Sequence, residues 1–501
     1  MRTRTTDLTH RDGPWAGLRV LVAGFGVSGQ AAADALLQVD ADVRVVDAKE
    51  PAPGSRGHEL VEILGVLGAR LDFGPGATTA LPDDLDLVVT SPGWRPDQPL
   101  LAAAAEAGVP VWGEVELAWR MRPETGAAPW LTLTGTNGKT TTVQMLASIL
   151  RAAGLRATSA GNVGTPILDA VLDPEPYDVI AVELSSFQLH WSHSLRPRAS
   201  ACLNIAPDHV DWHGSFEAYR DAKAKIYENT EVACVYAVDE PETMAMVEQA
   251  EVVEGCRAIG VTRGVPGLSM VGVVEDVLAD RAFVEDRRTS AAELGTLADL
   301  APPGTDPSAV APHLLADALT AAALARAHGV PASAVRDGLR AFRPEPHRAA
   351  LVATVDGVTF VDDSKATNPH AAAASLAAHE SVVWIAGGLL KGADVDPLVE
   401  AHGARLRAAV LIGADRAQIA AALSRHAPDV PVIDIDATDT AGMDLAVDAA
   451  IGAARPGDVV LLAPAAASMD MFRDYGARGD AFVAAVARAS GAGDGTSEED
   501  R

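Results

Sequence analysis

Short apolar runs alternate along the chain with longer Ala-rich stretches, and most of the runs end at a glycine turn or a polar residue. The first run, at 18–23, meets a turn at 24–29, and an Ala-rich stretch then leads to a second run that ends at Asp47. This order predicts a strand, a helix and a second strand, which together form one βαβ unit. A run at 85–94 has the pattern of a later strand of the same block.

The same order of elements starts a second time in the middle of the chain. An apolar run at 130–134 meets a glycine turn at 135–138, and a helix is predicted from Lys139. Further strands are predicted at 178–184 and 199–205. Because strands alternate with helices here too, we expect a parallel sheet covered on both faces.

The second half of the chain contains one region with a weak pattern and one with a clear pattern. The region at 252–312 has no clear period and suggests only short strands, whereas an Ala-rich helix is predicted at 313–328. A third block then carries five apolar runs separated by Ala-rich stretches. These runs are VTFVDDS, SVVWIAGG, AAVLIGA, VPVIDI and DVVLLAP.

The three blocks predict an α/β protein with three domains. We expect a Rossmann-like N-terminal domain at 15–113, a central domain at 114–343 with a P-loop ATPase-like parallel sheet, and a Rossmann-like C-terminal domain at 344–490. The 501 residues agree with this number, since a domain takes roughly 150 residues. Residues 1–14 and 491–501 are polar or small and are expected to be flexible tails.

Charge and cysteine content exclude several classes of protein. The chain has 40 Lys and Arg against 68 Asp and Glu, a formal net charge of −28, so neither nucleic acid nor an anionic membrane is expected as a partner. It contains no run of about 18 uncharged apolar residues, so no transmembrane helix is expected. The three cysteines are too few for a disulfide framework and fit a reducing cytoplasm, where we expect the protein to act.

The first glycine turn fits the pattern G-x-G-x-x-G, and Asp47 follows it by about 20 residues. Glycines in this pattern let the backbone approach a phosphate at a helix N-terminus, while the acid binds a ribose hydroxyl. A dinucleotide cofactor, another nucleotide and a tight turn without a ligand all stay open at this point.

The segment 134–141, Thr-Gly-Thr-Asn-Gly-Lys-Thr-Thr, is a sharper signal for a bound nucleotide. Its backbone N–H groups can hold phosphates, Lys139 can reach the β- and γ-phosphate oxygens, and Thr140 can ligate Mg²⁺. The loop is shorter than a full P-loop, because Leu133 stands where that pattern has its first glycine. Glu183, at a predicted strand end, supplies the carboxylate that such a metal site needs, although it can also cap the next helix.

Two later segments of the middle block carry polar residues with possible chemistry. Asp208 and His209 follow a strand and can be metal ligands or part of a solvated loop. Lys223 is one of only six lysines among the 40 basic residues, and its amine can deprotonate and react, which Arg cannot do. The alternative for Lys223 is a surface lysine on the helical face that also holds Ile226.

Three strand ends of the last block are polar as well, at 363–369, 387–392 and 463–472. Ligands of open α/β sheets bind beyond the carboxyl ends of the strands, so the three segments together predict one composite site. Each segment by itself is also compatible with an ordinary loop.

Nine motifs, taken in order, resemble those of the Mur ligase family, and within it those of the members that add D-glutamate. They are GTNGKTT, GNVGTP, ELSSFQL, NIAPDHVDWH, DAKAKIYE, PHR, DDSKATNP, GGLLKGAD and APAAASMDMF. The resemblance covers roughly residues 15–490, and SSFQL with DDSKATNP point to the D-glutamate-adding branch. One departure lies at 313–317, His-Leu-Leu-Ala-Asp, where the family often has H-N-x-x-N.

The resemblance implies an ATP-dependent ligase that adds D-glutamate to UDP-N-acetylmuramoyl-L-alanine through an acyl phosphate, in peptidoglycan precursor synthesis. We expect it to act as a monomer. A sibling amide ligase of the Mur or folate type with another acceptor amino acid is the nearest alternative. An NAD-dependent dehydrogenase would leave Lys139, Glu183 and Lys391 unexplained, and a non-catalytic nucleotide-binding protein would not need Lys223.

The resemblance also implies a role for individual residues. Those expected to bind ATP are Gly135, Thr136, Asn137, Gly138, Lys139, Thr140, Thr141, Arg348 and Asp363. Those expected to bind the UDP-linked substrate are Gly26, Val27, Ser28, Asp47, Ser91, Gly93, Asn162 and Thr165. D-glutamate is expected at Thr367, Lys391, Ser468, Met469 and Tyr475, and the expected catalytic residues are Lys139, Glu183, His209, Lys223 and Lys365.

The implied cofactors are ATP and Mg²⁺. Thr140 and Glu183 would hold one magnesium ion, while His209 and Lys223 would hold a second. Lys223 matches the family lysine that reacts with CO₂ to form a carbamate. A carbamate converts a cationic side chain into an oxygen ligand similar to a carboxylate, which suits a hard cation.

Overall fold

The computed structural model describes residues 5–301, 306–307, 310–343, 347–437 and 439–490. These residues form two compact units, one within Met1–Ile205 and Glu217–Phe342 and the other within Ala206–Phe216 and Arg343–Arg501. Three stretches that concern the predicted domain limits lie outside the described residues. They are 1–4 and 491–501 in the predicted tails, and 344–346 at the start of the predicted third domain, which includes the proline of the PHR motif.

The first unit opens with a five-stranded parallel sheet in the order β3-β2-β1-β4-β5. Its strands are β1 (Arg19–Ala23), β2 (Asp42–Asp47), β3 (Arg70–Phe73), β4 (Leu87–Thr90) and β5 (Val111–Gly113). Its helices are α1 (Val27–Leu37), α2 (Arg56–Val66), α3 (Pro99–Glu106) and α4 (Glu114–Arg120). The predicted βαβ unit is therefore confirmed, and the strand order is that of a Rossmann-like sheet.

A nine-stranded sheet follows, in the order β14-β13-β12-β11-β10-β9-β6-β8-β7. Its strands are β6 (Trp130–Thr134), β7 (Ala157–Gly161), β8 (Val179–Glu183), β9 (Ala199–Cys202), β10 (Ala233–Ala237), β11 (Arg257–Val261), β12 (Met270–Val274), β13 (Val277–Asp280) and β14 (Ala292–Thr296). Strands β6 to β12 pair in parallel, and β12, β13 and β14 pair antiparallel. Strands β11 to β14, which come from the weakly patterned region, thus extend the sheet at one edge.

Helices alternate with the strands of this part of the chain, as the sequence pattern predicts. They are α5 (Lys139–Ala152), α6 (Ile167–Val171), α7 (Ser186–His190), α8 (Val210–His213, in the second unit), α9 (Phe216–Ala224), α10 (Pro241–Gln249), α11 (Pro312–His328) and α12 (Ala332–Ala341). Helix α11 confirms the predicted Ala-rich helix. It is buried without a break from Asp317 to Ala325, because small side chains let it pack against α5 and the sheet together.

The second unit contains a six-stranded sheet in the order β15-β16-β20-β17-β18-β19, parallel except for β15. Its strands are β15 (Ala350–Val355), β16 (Val358–Asp362), β17 (Val382–Gly387), β18 (Leu406–Ile412), β19 (Val432–Asp434) and β20 (Val459–Leu462). Its helices are α13 (Pro369–Ala377), α14 (Asp396–His402), α15 (Arg416–His426), α16 (Gly442–Ala453) and α17 (Tyr475–Ala489). The five predicted runs are β16 to β20, and the predicted α/β fold class with mainly parallel sheets is confirmed. Across both units, no described helix has the length and apolar character needed to cross a bilayer.

Residues 5–14 differ from the expected flexible tail, because the structure packs them onto the first unit. Leu8 is fully buried. The Arg120 guanidinium donates to the carbonyl oxygens of Thr5 and Leu8 over 3.1 and 3.0 Å, and the Arg11 N–H donates to the Arg122 carbonyl over 3.0 Å. The expectation rested on the polar composition of this segment, but a single buried apolar residue, Leu8, anchors it to the first unit.

Candidate active site

The turn between β6 and α5 has the geometry of an anion-binding loop. Gly138, with φ +80°, lies in the left-handed region that favours glycine and precedes the first turn of the 14-residue helix α5. The first N–H groups of α5 have no partner within the helix, which is why a helix start attracts phosphate. Lys139 Nζ donates to the Thr136 carbonyl oxygen over 2.8 Å and thus lies against the loop.

Asn204, just beyond β9, holds this loop in place. Its Oδ1 accepts from the Asn137 N–H over 2.9 Å, and its Nδ2 donates to the Asn137 carbonyl over 3.2 Å. The Thr136 N–H also donates to the Asn204 carbonyl over 3.0 Å. Asn204 belongs to the motif NIAPDHVDWH, and its polar side chain at a strand end is the sequence signal for this role.

Glu183 ends β8, beside β6, with only 1% of its surface exposed. Its Oε1 accepts from Asn162 Nδ2 over 2.9 Å, while its buried Oε2 has no hydrogen-bond partner among the described residues. A buried oxygen without a partner is costly unless a ligand completes it. Thr140, in the first turn of α5, is nearly buried as well.

This donor set fits Mg²⁺ bound jointly with a nucleotide. The ion favours oxygen ligands and commonly takes one or two protein oxygens together with phosphate oxygens and water. Within the described ranges, no group of three or more His, Cys, Asp and Glu side chains is placed to hold a metal. The protein would therefore supply part of the coordination sphere and the substrates the rest.

Lys223 on α9 is a buried lysine, with 2% of its surface exposed. Its Nζ donates to the Gly135 carbonyl over 2.7 Å and to Thr134 Oγ1 over 3.1 Å. Thr134 Oγ1 in turn donates to the Leu184 carbonyl over 2.7 Å, directly after Glu183. The surface-lysine alternative is therefore wrong, and Lys223 lies between the phosphate loop and the strand end that carries Glu183.

Two further side chains contact the loop, and the sequence assigned neither of them to the site. Tyr219 OH is 2.9 Å from Thr136 Oγ1. Asp317, on α11, lies so close to Gly138 that a Cβ built on this glycine would be 2.3 Å from Asp317 Oδ1. The sequence marked Asp317 only as a departure from the family pattern.

The N-terminal glycine turn is built around Asp47. Its Oδ2 accepts from the Phe25 N–H over 2.7 Å, and its Oδ1 accepts from the Lys49 N–H over 2.9 Å. Gly24 has φ +100°, and a Cβ there would come within 2.5 Å of Ser91 Oγ. That hydroxyl is buried without a hydrogen-bond partner among the described residues. Gly26 and exposed Val27 begin α1 beside them.

Two glutamates of α4 connect this turn to the middle sheet within the first unit. Burial raises the pKa of Glu114, although hydrogen bonds from Ser28 and the backbone of Leu168 oppose the shift. Burial also acts to raise the pKa of Glu116, but hydrogen bonds from Ser194, His193 and Arg120 outweigh it and hold this pKa below its ordinary value. Glu116 accepts from the backbone N–H groups of His193 and Ser194 over 2.8 and 2.9 Å. Glu116 thereby links α4 to the loop after α7.

The remaining residues predicted to bind the UDP-linked substrate also lie in the first unit, on the loop after β7 and in the turn after β4. The Asn162 N–H donates to the Glu183 carbonyl over 2.9 Å, so Asn162 binds Glu183 by backbone and side chain. The Thr165 N–H donates to the Ser159 carbonyl over 3.1 Å. Gly93 lies in the turn after β4. Asn162, expected to contact the substrate, thus also orients the predicted metal ligand.

In the second unit, the predicted nucleotide residues Asp363 and Lys365 follow β16, whereas Arg348 precedes β15. Burial raises the pKa of Asp363, while a hydrogen bond from Ser375 and the charge of Arg348 act in the opposite direction. The buried Nε of Arg348 has no hydrogen-bond partner among the described residues. Lys365 Nζ lies 4.9 Å from the ring centroid of Tyr475, which joins a predicted nucleotide residue to a predicted acceptor residue.

The predicted acceptor residues Thr367, Lys391, Ser468 and Met469 follow β16, β17 and β20, and Tyr475 is the first residue of α17. Ser468 is nearly buried, Met469 is 63% exposed, and Lys391 has φ +53° in the turn after β17. The Thr367 N–H donates to the Lys365 carbonyl over 2.8 Å.

Arg478, on α17, ties these strand ends together and was missed by the sequence analysis. It is 1% exposed and donates to Ser364 Oγ over 3.0 Å, to the Ser364 carbonyl over 2.8 Å and to the Ala466 carbonyl over 3.0 Å. Its burial lowers its pKa to about 10.

His209 also belongs to the second unit. It precedes α8 with φ +50°, and its N–H donates to Asp208 Oδ1 over 2.9 Å. Its Nε2 lies 3.6 Å from Asp208 Oδ2. The carboxylate of Asp208 thus lies beside the imidazole of His209.

Three family models match the chain in sequence order. The Mur ligase MurD-like N-terminal domain matches residues 18–113. The Mur ligase middle domain matches 133–261, and the Mur ligase glutamate ligase domain matches 347–466. Together they span more than half of the chain and follow its three sheets.

Two relatives match nearly the whole length of the chain. The UDP-N-acetylmuramoylalanine–D-glutamate ligase of Streptomyces avermitilis is 61% identical over 472 residues, which cover 94% of this chain and 98% of that protein. The ligase of the same name from Thermobifida fusca is 55% identical over 479 residues, which cover 95% and 99%.

Solved structures match over a similar length but at low identity. A pseudomurein peptide ligase type C from Methanothermus fervidus has a TM-score of 0.55 at 16% identity, covering 93% of this chain and 99% of that one. The UDP-N-acetylmuramate–alanine ligase of Thermotoga maritima has a TM-score of 0.52 at 18% identity, covering 94% and 100%. At these identities the likeness shows the fold alone.

Proposed function

The chain belongs to the Mur ligase family, and from this premise we propose that it joins D-glutamate to UDP-N-acetylmuramoyl-L-alanine with conversion of ATP to ADP and phosphate. The observation that carries the proposal is 61% identity to a D-glutamate ligase over 94% of the chain. The product is a precursor of peptidoglycan. We place the reaction in the cytoplasm, where nucleotide-linked substrates occur, and assign it to a monomer, because one chain carries all the predicted binding residues.

The chemistry needs an activated carboxyl group. A carboxylate accepts an amine only after one of its oxygens has become a good leaving group. The L-alanine carboxylate attacks the γ-phosphorus of ATP, the bond to ADP breaks, and an acyl phosphate forms. The D-glutamate amine then attacks the acyl carbon, loses a proton and expels phosphate. The protein binds these anions, orients them and excludes water.

The loop at 135–141 is proposed to hold the ATP phosphates. The loop leads into the first turn of α5, and Lys139 would exchange its bond to the Thr136 carbonyl for a phosphate oxygen. From the second unit, Arg348, Asp363 and Lys365 are proposed to contact the nucleotide. The buried Arg348 Nε without a described partner supports this role.

Thr140 and Glu183 are proposed to hold Mg²⁺, because the buried Glu183 Oε2 has no hydrogen-bond partner in the part of the chain that the structure describes. When bound, the ion neutralises charge on the phosphate oxygens. Lys223, as a carbamate, and His209 are proposed to hold a second ion. With ¹³C-labelled bicarbonate, we expect a carbamate resonance that is absent from Lys223→Arg. An identical spectrum of the variant would contradict the carbamate.

The UDP end of the donor is proposed to bind at the N-terminal glycine turn, through Gly26, Val27, Ser28 and Asp47, with Ser91 and Gly93 beside it. The buried Ser91 hydroxyl without a described partner supports a ligand there. Asn162 and Thr165 would contact the muramoyl part. The acceptor pocket is proposed to consist of Thr367, Lys391, Ser468, Met469 and Tyr475, with Lys391 opposite a D-glutamate carboxylate.

Acceptor selectivity tests the proposed function. In a phosphate-release assay, we expect turnover only when ATP, Mg²⁺, UDP-N-acetylmuramoyl-L-alanine and D-glutamate are all present. Two acceptors serve as matched controls: L-glutamate differs from D-glutamate in chirality, and D-alanine differs from it in the side chain. Equal phosphate release with either of them would remove the D-glutamate assignment and favour a sibling ligase with another acceptor.

A further inference from the structure

Two of the three cysteines lie side by side in the nine-stranded sheet. Cys234 is the second residue of β10, and Cys256 directly precedes β11, which pairs parallel to β10. Cys234 pairs with Ala258, so Cys256 is its diagonal neighbour on the same face of the sheet. The two Sγ atoms are 3.8 Å apart, and both thiols are reduced.

The two thiols differ in exposure and in acidity. Cys234 is 2% exposed, whereas Cys256 is partly exposed. A hydrogen bond from Cys234 lowers the pKa of Cys256, and the backbone N–H and charge of Arg257 act in the same direction, while burial opposes them. The same hydrogen bond raises the pKa of Cys234, and burial adds to that shift. Cys256 is therefore the thiolate that an oxidant meets first.

We propose that Cys234 and Cys256 close into a reversible disulfide when the protein meets hydrogen peroxide. The Cys256 thiolate attacks a peroxide oxygen, the O–O bond breaks, and a sulfenic acid forms while the hydroxide released becomes water. The Cys234 sulfur gives up its proton and attacks the sulfenic sulfur, and a second water leaves. Two thiols and one peroxide thus give one disulfide and two waters. The sulfurs move from 3.8 Å to about 2.05 Å apart, which is a short approach.

The position of the pair predicts what the bond does to the protein. Strands β6, β9, β10 and β11 run parallel, and the phosphate loop follows the carboxyl end of β6. Cys234 and Cys256 lie at the amino ends of their strands, which is the opposite edge of the sheet. The disulfide should therefore cross-link β10 to β11 without changing the proposed nucleotide site.

Cys202 provides an internal control. It is 1% exposed, and burial raises its pKa to about 12, so it should stay reduced. In the experiment, the full-length protein is treated with hydrogen peroxide and then denatured in the presence of N-ethylmaleimide, which alkylates the free thiols. Its peptides are then mapped without reduction. We expect one cross-linked peptide pair that holds Cys234 and Cys256 and separates in dithiothreitol, with Cys202 alkylated.

Two physical readouts accompany the peptide map. Oxidation should raise the thermal midpoint by about 3 °C, reversibly, because the bond closes a loop between residues 22 positions apart. ATP binding to the oxidised protein should stay within twofold of the reduced protein. A disulfide that abolishes ATP binding would overturn the assignment of the bond to the edge opposite the loop.

Variants separate the two roles. In Cys234→Ser, peroxide should leave a sulfenic acid on Cys256 that dimedone traps, whereas Cys256→Ser should give neither dimedone adduct nor cross-link. The wild type is compared at a peroxide dose that oxidises Cys256 in the Cys234→Ser variant. If Cys234 and Cys256 of the wild type are both still fully alkylated at that dose, the proposal is overturned. It is also overturned if Cys256 links two molecules instead.

Discussion

Lys223 donates a hydrogen bond from Nζ to the carbonyl oxygen of Gly135 over 2.7 Å, although the two residues are 88 positions apart. Lys223→Ala should lower kcat by at least about 10³-fold, because it removes a charged group from the edge of the phosphate loop. Short carboxylic acids should partly restore turnover if an oxygen ligand is what the variant lacks.

Lys225→Ala is the matched control for that prediction. Lys225 lies two residues further along, and its Nζ donates to the His190 carbonyl over 3.0 Å, away from the loop. Its loss should reduce the free energy of unfolding by about 1 kcal/mol and leave kcat within a few-fold. A fully active Lys223→Ala, assayed by phosphate release, would contradict the catalytic role.

Gly138→Ala should weaken ATP binding at least 10-fold. The new Cβ would meet Asp317 Oδ1 at 2.3 Å and would shift the loop. Gly154→Ala is the control, because Gly154 also has φ +80° but has no atom within 4 Å of the built Cβ. Both variants should lose about 1 kcal/mol of stability from backbone strain. Equal ATP affinity in the two, by calorimetry, would show that contact with Asp317 is unimportant.

Asn162→Ala should raise the Mg²⁺ concentration for half-maximal activity by about 10-fold, because Asn162 Nδ2 orients Glu183 through Oε1. Thr158→Ala, in the preceding strand β7, is a control that keeps this bond. The measurement is a magnesium titration of phosphate release at saturating ATP. A change only in the KM for the UDP-linked substrate would instead assign Asn162 to the substrate alone.

His190 should make stability depend on pH. Burial lowers the pKa of His190 to about 4, and the charge of Lys225 acts in the same direction. As the pH falls from 6.5 to 4, the unfolded chain takes up a proton that the folded chain does not, so the free energy of unfolding decreases. Allowing for the partial exposure of the ring, His190→Gln should lose about 1 kcal/mol less than wild type between pH 6.5 and 4.5. Urea unfolding at both pH values measures this difference, and parallel losses would refute it.

Much of the fold follows from the sequence because buried parallel strands are continuous apolar runs. Strand β6, Trp130–Thr134, is buried at every position and was predicted with the turn after it. The short antiparallel strands β12 to β14 lack such a signal, since edge strands of four or five residues alternate only briefly. Strand β15, which pairs antiparallel at the edge of its sheet, was missed for the same reason.

The site was predictable where a motif is local and not where contacts are long-range. The loop at 135–141 and Glu183 are local features of a strand end. Asn204, Asp317 and Arg478 reach their places only through packing of elements far apart in the chain, and no spacing rule encodes that. The burial of Lys223 likewise follows from tertiary packing, which is why the sequence left a surface position open.

Glu116 has a consequence for which donors the protein can use. Its carboxylate accepts from His193 and Ser194 and so joins the Rossmann-like part to the loop after α7. With the binding sites proposed above, this contact would limit the distance between the uracil end of the donor and the γ-phosphate. A donor that lacks one phosphate or one sugar ring would be too short to reach both sites, even if each of its ends fitted its own pocket. Weakening the Glu116 contact should let the enzyme accept donors of other lengths before it lowers the rate of the reaction.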